Sequence, residues 1–315
     1  MREASILIVH PDRKTQRTVQ RILGVTGYRV DIADDLEQAI RLMQHVTPML
    51  VVIDGSAAMS AHAQTFFAAA KQKGTEACMT LLGATAHDQV PQILGLGAIT
   101  NLLVHPMPVL AEELTITVHK LIRNDLFGAE KYLLWGTDLH ARTLTRSTQR
   151  ADIVASVAEA VRARGQSARV ASMAMLVTDE LLSNAVHNAP VDGDGVHFRK
   201  DVTRDTEIEL DARHQVRLRW GCDARYLAIE VTDQFGSLDR DTILRALAKN
   251  DVRETGGGAG MGIALSYRSC DHLVFNLSPG KRTEIIALID TRYPPTERVA
   301  ASSYNVFVER LPATL

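Results

Sequence analysis

Long apolar runs are missing from this chain, and none approaches the ~20 residues of a membrane-spanning helix, which excludes a helical span. Cysteine is scarce. Cys78, Cys222 and Cys270 lie far apart, without the paired spacing of a zinc site or a disulfide framework, and read as buried reduced thiols. A dominant charge sign is lacking too: a net charge of −2 gives no electrostatic reason to expect nucleic acid or an anionic membrane as partner. The start, Met1-Arg2-Glu3-Ala4-Ser5 and four apolar residues, is too short for a signal peptide, so a cytoplasmic location is expected. What is present is an ordinary globular composition, 46% hydrophobic and 23% charged over 315 residues, long enough for about two domains with separate cores.

The first 126 residues alternate two patterns. Ser5–Val9 is a continuous β-rich run, as in a strand buried on both faces, and a polar helical stretch, Lys14–Val25, follows it. Strand-like Tyr28–Ile32, Met49–Ile53, Cys78–Leu82 and Asn101–Val104 precede helical Leu36–Val46, Met59–Lys71, His87–Leu94 and Val109–Ile122. This alternation predicts an α/β doubly wound parallel sheet, with any ligand at the carboxyl ends of its strands.

Met49-Leu50-Val51-Val52-Ile53-Asp54, after Pro48, resembles the phosphoacceptor strand of response-regulator receiver domains. The resemblance covers about residues 4–124, implies a flavodoxin-like fold, and places Asp54 at the phosphorylated position. The other active-site positions depart from the pattern. His10-Pro11 stands where receivers carry two acidic residues that hold Mg²⁺, and Asp12 comes one place late. Gly83 replaces the Ser/Thr after the fourth strand, and His105, in His105-Pro106, replaces the lysine after the fifth. A carboxylate attacks phosphorus only when a metal and a cation neutralise the gathering charge. Asp54 is therefore read as a vestigial phosphoacceptor, and the domain as an interaction or dimerisation surface. Two other readings stand beside it: residual phosphorylation with Asp12 restoring the metal, and a transition-metal site of His10, Asp54 and His105.

The boundary falls near residue 127, giving domains 1–126 and 127–315, with Leu121–Leu134 read as a helical connector and Trp135 as packing. In the second domain, His140–Arg146 reads as an edge strand. Asp152 is placed as the cap of a helix carrying Ile153, Val154, Val157, Ala160 and Val161, and a second helix is predicted over Ala168–Asn188. On that second helix Glu180, Asn184 and His187 or Asn188 share a polar face. Glu207–Leu210, Gln215–Trp220, Tyr226–Thr232, His272–Leu277 and Thr283–Ile289 are strand runs, and Tyr304–Val308 is a further edge strand or a partner-docking segment. Gly256-Gly257-Gly258-Ala259-Gly260-Met261-Gly262 holds five glycines in seven residues and leads into an apolar helix, so it is either a mobile linker or a phosphate cradle.

Four segments bear a family resemblance. Glu180–His187 resembles the asparagine-box helix of the ATPase domain shared by histidine kinases, type II topoisomerases and MutL (the GHKL type). Ile229–Gly236 and Gly258–Gly262 resemble its two glycine boxes, and Gly280–Ile286 its last hairpin, in the family's order over about 140–290. The resemblance implies a C-terminal α+β sandwich that binds ATP and Mg²⁺. Asn184 would offer an oxygen to Mg²⁺, Glu180 would be the catalytic base, and Asp233 would accept the adenine amine. Thr283, His187, Asn188, Gly236, Gly258, Gly260 and Gly262 would complete the nucleotide site. One departure is Phe235, at the first glycine position of the first glycine box, which either crowds the adenine pocket or walls it. Asn250–Gly257 is placed as an ATP lid, with Lys249 or Arg253 supplying charge.

No phosphoacceptor histidine helix precedes the ATPase-like region, and His140, the nearest histidine, sits in a strand pattern. The expectation is a bacterial signal-transduction protein: a pseudo-receiver joined to a kinase-like ATP-binding module. It would act on a partner protein by serine or histidine phosphorylation or by nucleotide-dependent binding. The partner would be anti-sigma-antagonist-like, a phosphotransfer protein or a receiver, and the chain a homodimer. Two alternatives are a non-catalytic dimeric scaffold and an ATP hydrolase whose lid self-dimerises.

Overall fold

The computed structural model describes residues 5–75, 77–83, 89–105, 111–204, 206–248, 260–292 and 302–310. The chain divides into two compact units, Met1–Leu126 with Val299–Asn305, and Phe127–Arg298 with Val306–Leu315. Among the described residues no helix is long and apolar enough to cross a membrane.

The first unit alternates β1 (Ser5–Val9), α1 (Arg13–Gly24), β2 (Arg29–Ala33), α2 (Leu36–Met43), β3 (Leu50–Asp54), α3 (Gly55–Ala58), α4 (Ala63–Gln72), β4 (Ala77–Gly83), α5 (Val90–Gly95), β5 (Asn101–His105) and α6 (Ala111–Arg123). The strands pair in parallel in the order β2-β1-β3-β4-β5, the flavodoxin-like winding with its switch point between β1 and β3. The apolar runs of β1 and β3 are buried, and Ile6, Ile8, Leu50 and Val52 meet Val19 and Leu23 of α1 and Leu114 and Val118 of α6. The helix predicted over 59–71 begins at Ala63, and a separate short helix, Gly55–Ala58, capped by Asp54, precedes it. The C-terminal strand β11 (Ser303–Val308) pairs antiparallel with β5 through Tyr304–Leu102 and Asn305–Asn101. Its buried Asn305 Oδ1 accepts from Asn101 Nδ2 at 2.8 Å.

The second unit is built on an antiparallel sheet ordered β9-β10-β8-β7-β6, from His272–Ser278, Arg282–Asp290, Tyr226–Asp233, Val216–Cys222 and His140–Leu144. Four helices accompany it: α7 (Arg150–Ala163), α8 (Ala168–Ser183), α9 (Arg240–Ala248) and α10 (Met261–Ser269). The period of two sends Val231 and Asp233 of β8 and Thr283 and Ile285 of β10 to the face carrying α8 and α10. Glu230 and Glu284 fall on the opposite face.

That opposite face is covered by the connector, which explains why β8 is buried along its whole length. The predicted connector helix does not form. α6 stops at Arg123, Asn124 adopts φ +57°, and Ala129–Tyr132 makes a 3₁₀ turn. Buried carboxylates hold this turn: Glu284 Oε1 accepts from the Gly128 amide at 2.9 Å and Glu230 Oε2 from the Ala129 amide at 2.8 Å. Arg219 pairs with Glu230 and with Glu130, and its guanidinium is held charged chiefly by the hydrogen bonds it donates to Glu230. The Arg282 guanidinium stands 3.4 Å over the Phe127 ring.

Three other expectations are corrected. Trp135 is fully exposed rather than packed. α7 begins at Arg150, so Asp152 lies in its first turn and Gln149 at its cap. Over 207–210 there is only an isolated bridge between Glu209 and Arg146.

Candidate functional site

At the carboxyl ends of β1 and β3, Asp54 is occupied by its own chain. One oxygen accepts from the amides of Ser56 at 2.9 Å and Ala57 at 3.3 Å and from the Ser56 hydroxyl, and the other lies 3.4 Å from His10 Nε2. His10 Nδ1 accepts from the Asp12 amide at 3.0 Å, which leaves the ring proton on Nε2, facing Asp54. Asp12 is turned away: it caps α1, accepting from the Thr15 amide and hydroxyl at 2.7 Å each. The Thr15 hydroxyl, then its amide, holds that carboxyl below its ordinary range. Among the described residues no group of three His, Cys, Asp or Glu side chains is arranged to hold a metal. The His105 side chain and Pro106 lie outside the described residues, so the third ligand of the expected transition-metal site does too.

In the second unit, a cavity of about 130 Å³, open on one side, lies between α8, α9, α10 and the β8–β10 pair. It gathers Asn184, Asn188, Asp233, Gly260 and Thr283, with apolar walls from Leu181, Val231, Ile263 and Ile285. Its volume is below the roughly 300–1,000 Å³ of sites for whole drug-sized ligands.

Asp233 is 7% exposed and receives the amides of Phe235 at 2.8 Å and Gly236 at 3.3 Å. Burial pushes its carboxyl up to about 6 against those two donors. Thr283 stands opposite it in register. Asn184 opens a π-helical turn, Asn184–Asn188, that continues α8; such turns recur at functional sites. Its Oδ1 accepts from Asn188 Nδ2 at 2.8 Å, and its Nδ2 is buried without a partner.

Glu180, His187, Gly236 and Gly262 are not among the described residues lining the cavity. Glu180 lies behind it, bound through both oxygens to Arg204 at 3.3 and 3.2 Å. His187 is 5% exposed with neither ring nitrogen partnered, and burial, then Arg150, Arg204 and Arg199, lower its pKa. Gly262 is a close-approach glycine: a Cβ there would lie 2.6 Å from Glu180 Oε2 and 2.9 Å from Asn184 Nδ2. Gly236, at φ +59°, serves the β9–β10 hairpin, since a Cβ would overlap the Ser278 carbonyl and lie 2.7 Å from the Lys281 nitrogen. Phe235 does not crowd the cavity. It is buried against His214 at 5.3 Å with Arg213 5.4 Å over its ring. Gly258, Lys249, Arg253 and the rest of 249–259 lie outside the described residues.

Sequence reasoning missed His197, Lys200, Ser237, Asp239 and Thr242, which also line the cavity, and Arg204, which holds Glu180. The signal for the basic ones was present in His197-Phe198-Arg199-Lys200 and Arg204, cations crowded directly after the asparagine-bearing helix.

No family model matches this chain. It is 28% identical over 151 residues to the response regulator MprA of Mycolicibacterium vanbaalenii, across 47% of this chain and 64% of that protein. The chain thus spans less than two thirds of the curated relative's length. Among solved structures it is similar to the chemotaxis response regulator CheY4 of Vibrio cholerae, with 20% identity, TM-score 0.30, and coverage of 38% of this chain and 98% of that one. A two-component response regulator from Clostridium difficile matches at 19% identity and TM-score 0.32, over 38% and 96% of the two chains. The N-terminal region resembles a response-regulator receiver domain.

Proposed function

We propose that the protein is a cytoplasmic bacterial signalling protein in which a receiver-like unit with a self-occupied Asp54 accompanies a kinase-like unit of the GHKL type. The second unit binds adenine nucleotide with Mg²⁺ and acts on a partner signalling protein by phosphorylation or by nucleotide-dependent binding. The partner is an anti-sigma antagonist, a phosphotransfer protein or a receiver, and the working form is a homodimer.

The observation that carries this reading is Asp233: a buried carboxyl at a strand end, facing an apolar-walled cavity whose opposite side presents Asn184 and Asn188. A buried acceptor beside flat apolar walls suits a heterocycle bearing an amine. Asn184 Oδ1 is a hard oxygen of the kind Mg²⁺ takes. Bound Mg-ATP supplies the transferable phosphoryl group. Glu180 takes the proton from a partner's nucleophile once Arg204 releases an oxygen, since both are engaged in the ion pair. The test is calorimetric titration with Mg-ATP: binding in the wild type and none in Asp233→Ala is expected, and no binding at millimolar ATP overturns the reading.

The same ion pair, with the closure of Asp54, favours a second reading, a dimeric scaffold without catalysis. It predicts unchanged partner binding in folded Glu180→Ala and Asn184→Ala variants; loss in either removes it.

A further inference from the structure

Residues 191–204 form a strap across the C-terminal end of α8. Asp192-Gly193-Asp194-Gly195 turns the chain back: Asp192 Oδ1 accepts from the amides of Asp194 at 3.0 Å and Val196 at 2.9 Å. Gly195 supplies φ +78°, and the turn brings His197 into a bridge with Val191. At the far end Arg204 is fixed by both oxygens of Glu180. Between these anchors stand Phe198, Arg199 and Lys200, with the Arg199 guanidinium 5.3 Å over the Phe198 ring.

The chain under and within this strap holds buried polar atoms that nothing satisfies. Asn184 Nδ2, both ring nitrogens of His187, His197 Nδ1 and Arg199 Nη1 are all buried without a hydrogen-bond partner. Unmade hydrogen bonds in a folded interior are rare and costly, and Asn184 Nδ2, Arg199 Nη1 and one nitrogen of the His187 ring are donors in any tautomer, so this short stretch calls for a ligand rich in acceptor oxygens. Two of these residues, Asn184 and His197, line the cavity beside Lys200. Two carboxylates also line it, but neither points to a cation: Asp239 accepts from the Thr242 amide and hydroxyl, and Asp233 from the amides after it.

We infer that the strap His197–Arg204 is the cationic end of this cavity, with Lys200 and the unpartnered donors of Asn184 and His197 binding the phosphate oxygens of the ligand whose base Asp233 accepts. This rests on the nucleotide reading for the base and on the strap alone for the anion. A lysine ammonium at the open mouth and neutral donors beneath it match a polyphosphate, whose charge stays near solvent while its oxygens fill the buried donors. Glu180 completes the arrangement as the strap's anchor, so the strap and the proposed base are mechanically joined.

The experiment is calorimetric titration of the full chain with Mg-ATP, adenosine and tripolyphosphate, in the wild type, Lys200→Ala and Lys200→Arg, with melting curves showing that each variant is folded. In the wild type, ATP binds about tenfold or more tightly than adenosine, the worth of one charge-assisted contact. Lys200→Ala is expected to lose that ratio and the tripolyphosphate binding while keeping adenosine, and Lys200→Arg to restore both. If ATP binds and Lys200→Ala leaves the ratio unchanged, the inference is overturned and the nucleotide reading survives. If tripolyphosphate binding depends on Lys200 but adenosine and ATP show no base contribution, the anion site stands and the nucleotide reading falls. Absence of tripolyphosphate binding together with equal ATP and adenosine affinities overturns the inference outright.

Discussion

β3 and β8 both end in an aspartate whose side chain receives the amides two and three residues on: Ser56 and Ala57 for Asp54, Phe235 and Gly236 for Asp233. The local geometry is the same turn, and the surroundings separate the two carboxylates. Asp54 keeps 21% side-chain exposure and meets His10 with its second oxygen, so both oxygens are engaged within its own unit. Asp233 is almost wholly buried, and burial pushes it up to about 6 in spite of the hydrogen bonds it receives. A strand-end aspartate is thus a partly exposed cap in one unit and a buried carboxyl lining a cavity in the other. What distinguishes them is solvent and the neighbour, not the motif.

The comparison can be broken most forcefully at Phe235, the side chain that follows Asp233 and packs away from the cavity. Phe235→Ala should cost about 3–5 kcal/mol of stability and leave nucleotide affinity no tighter. Urea unfolding followed by tryptophan emission reads the second unit alone, because Trp135 and Trp220 both belong to it. Gly236→Ala comes next, at roughly 2–4 kcal/mol, combining a left-handed φ with overlap on the β9–β10 hairpin.

A third effect concerns protonation. The folded pKa of Asp233 lies above its ordinary value, so the folded state binds this proton more tightly than the unfolded state. The cost of the buried charge is present above pH 6 and is relieved as the pH falls through that value. Stability of the second unit should rise by about 1 kcal/mol between pH 7 and pH 5 from this group, and Asp233→Asn should remove that part of the slope. Asp54→Asn is the smallest change. It weakens one exposed cap and one partly exposed ion pair, for about 1 kcal/mol or less, and should leave ATP binding by the second unit unchanged. If Asp54→Asn abolished ATP binding, the contrast between the two carboxylates would be lost.

Most of the first unit was legible in the sequence because β1 and β3 are short continuous apolar runs, and burial on both faces writes that directly into composition. In the second unit β8, β9 and β10 were legible as buried runs and β7 by its alternation, and Asn184, Asn188, Asp233, Gly260 and Thr283 as residues brought together. The connector was not. Its amides at Gly128 and Ala129 are held by carboxylates 156 and 101 positions away, and no window of local periodicity contains both partners. The π turn escaped because its residues carry the same apolar spacing as the helix before it, and only its hydrogen bonding differs. The strap was not legible, since its anchoring by Asp192 and Glu180 depends on a turn and an ion pair that composition does not express.

The covered back face of the β8–β10 pair also sets how this unit can be exchanged between proteins. A graft beginning at β6 would leave behind Phe127–Trp135, stripping Glu230 and Glu284 of the amides that satisfy them and baring the Phe127 side of Arg282. Recombination that keeps the unit whole must cut upstream of Phe127, near Asn124, where α6 has ended and its left-handed turn leaves a natural joint. The segment that reads as a linker therefore belongs to the second unit and should travel with it.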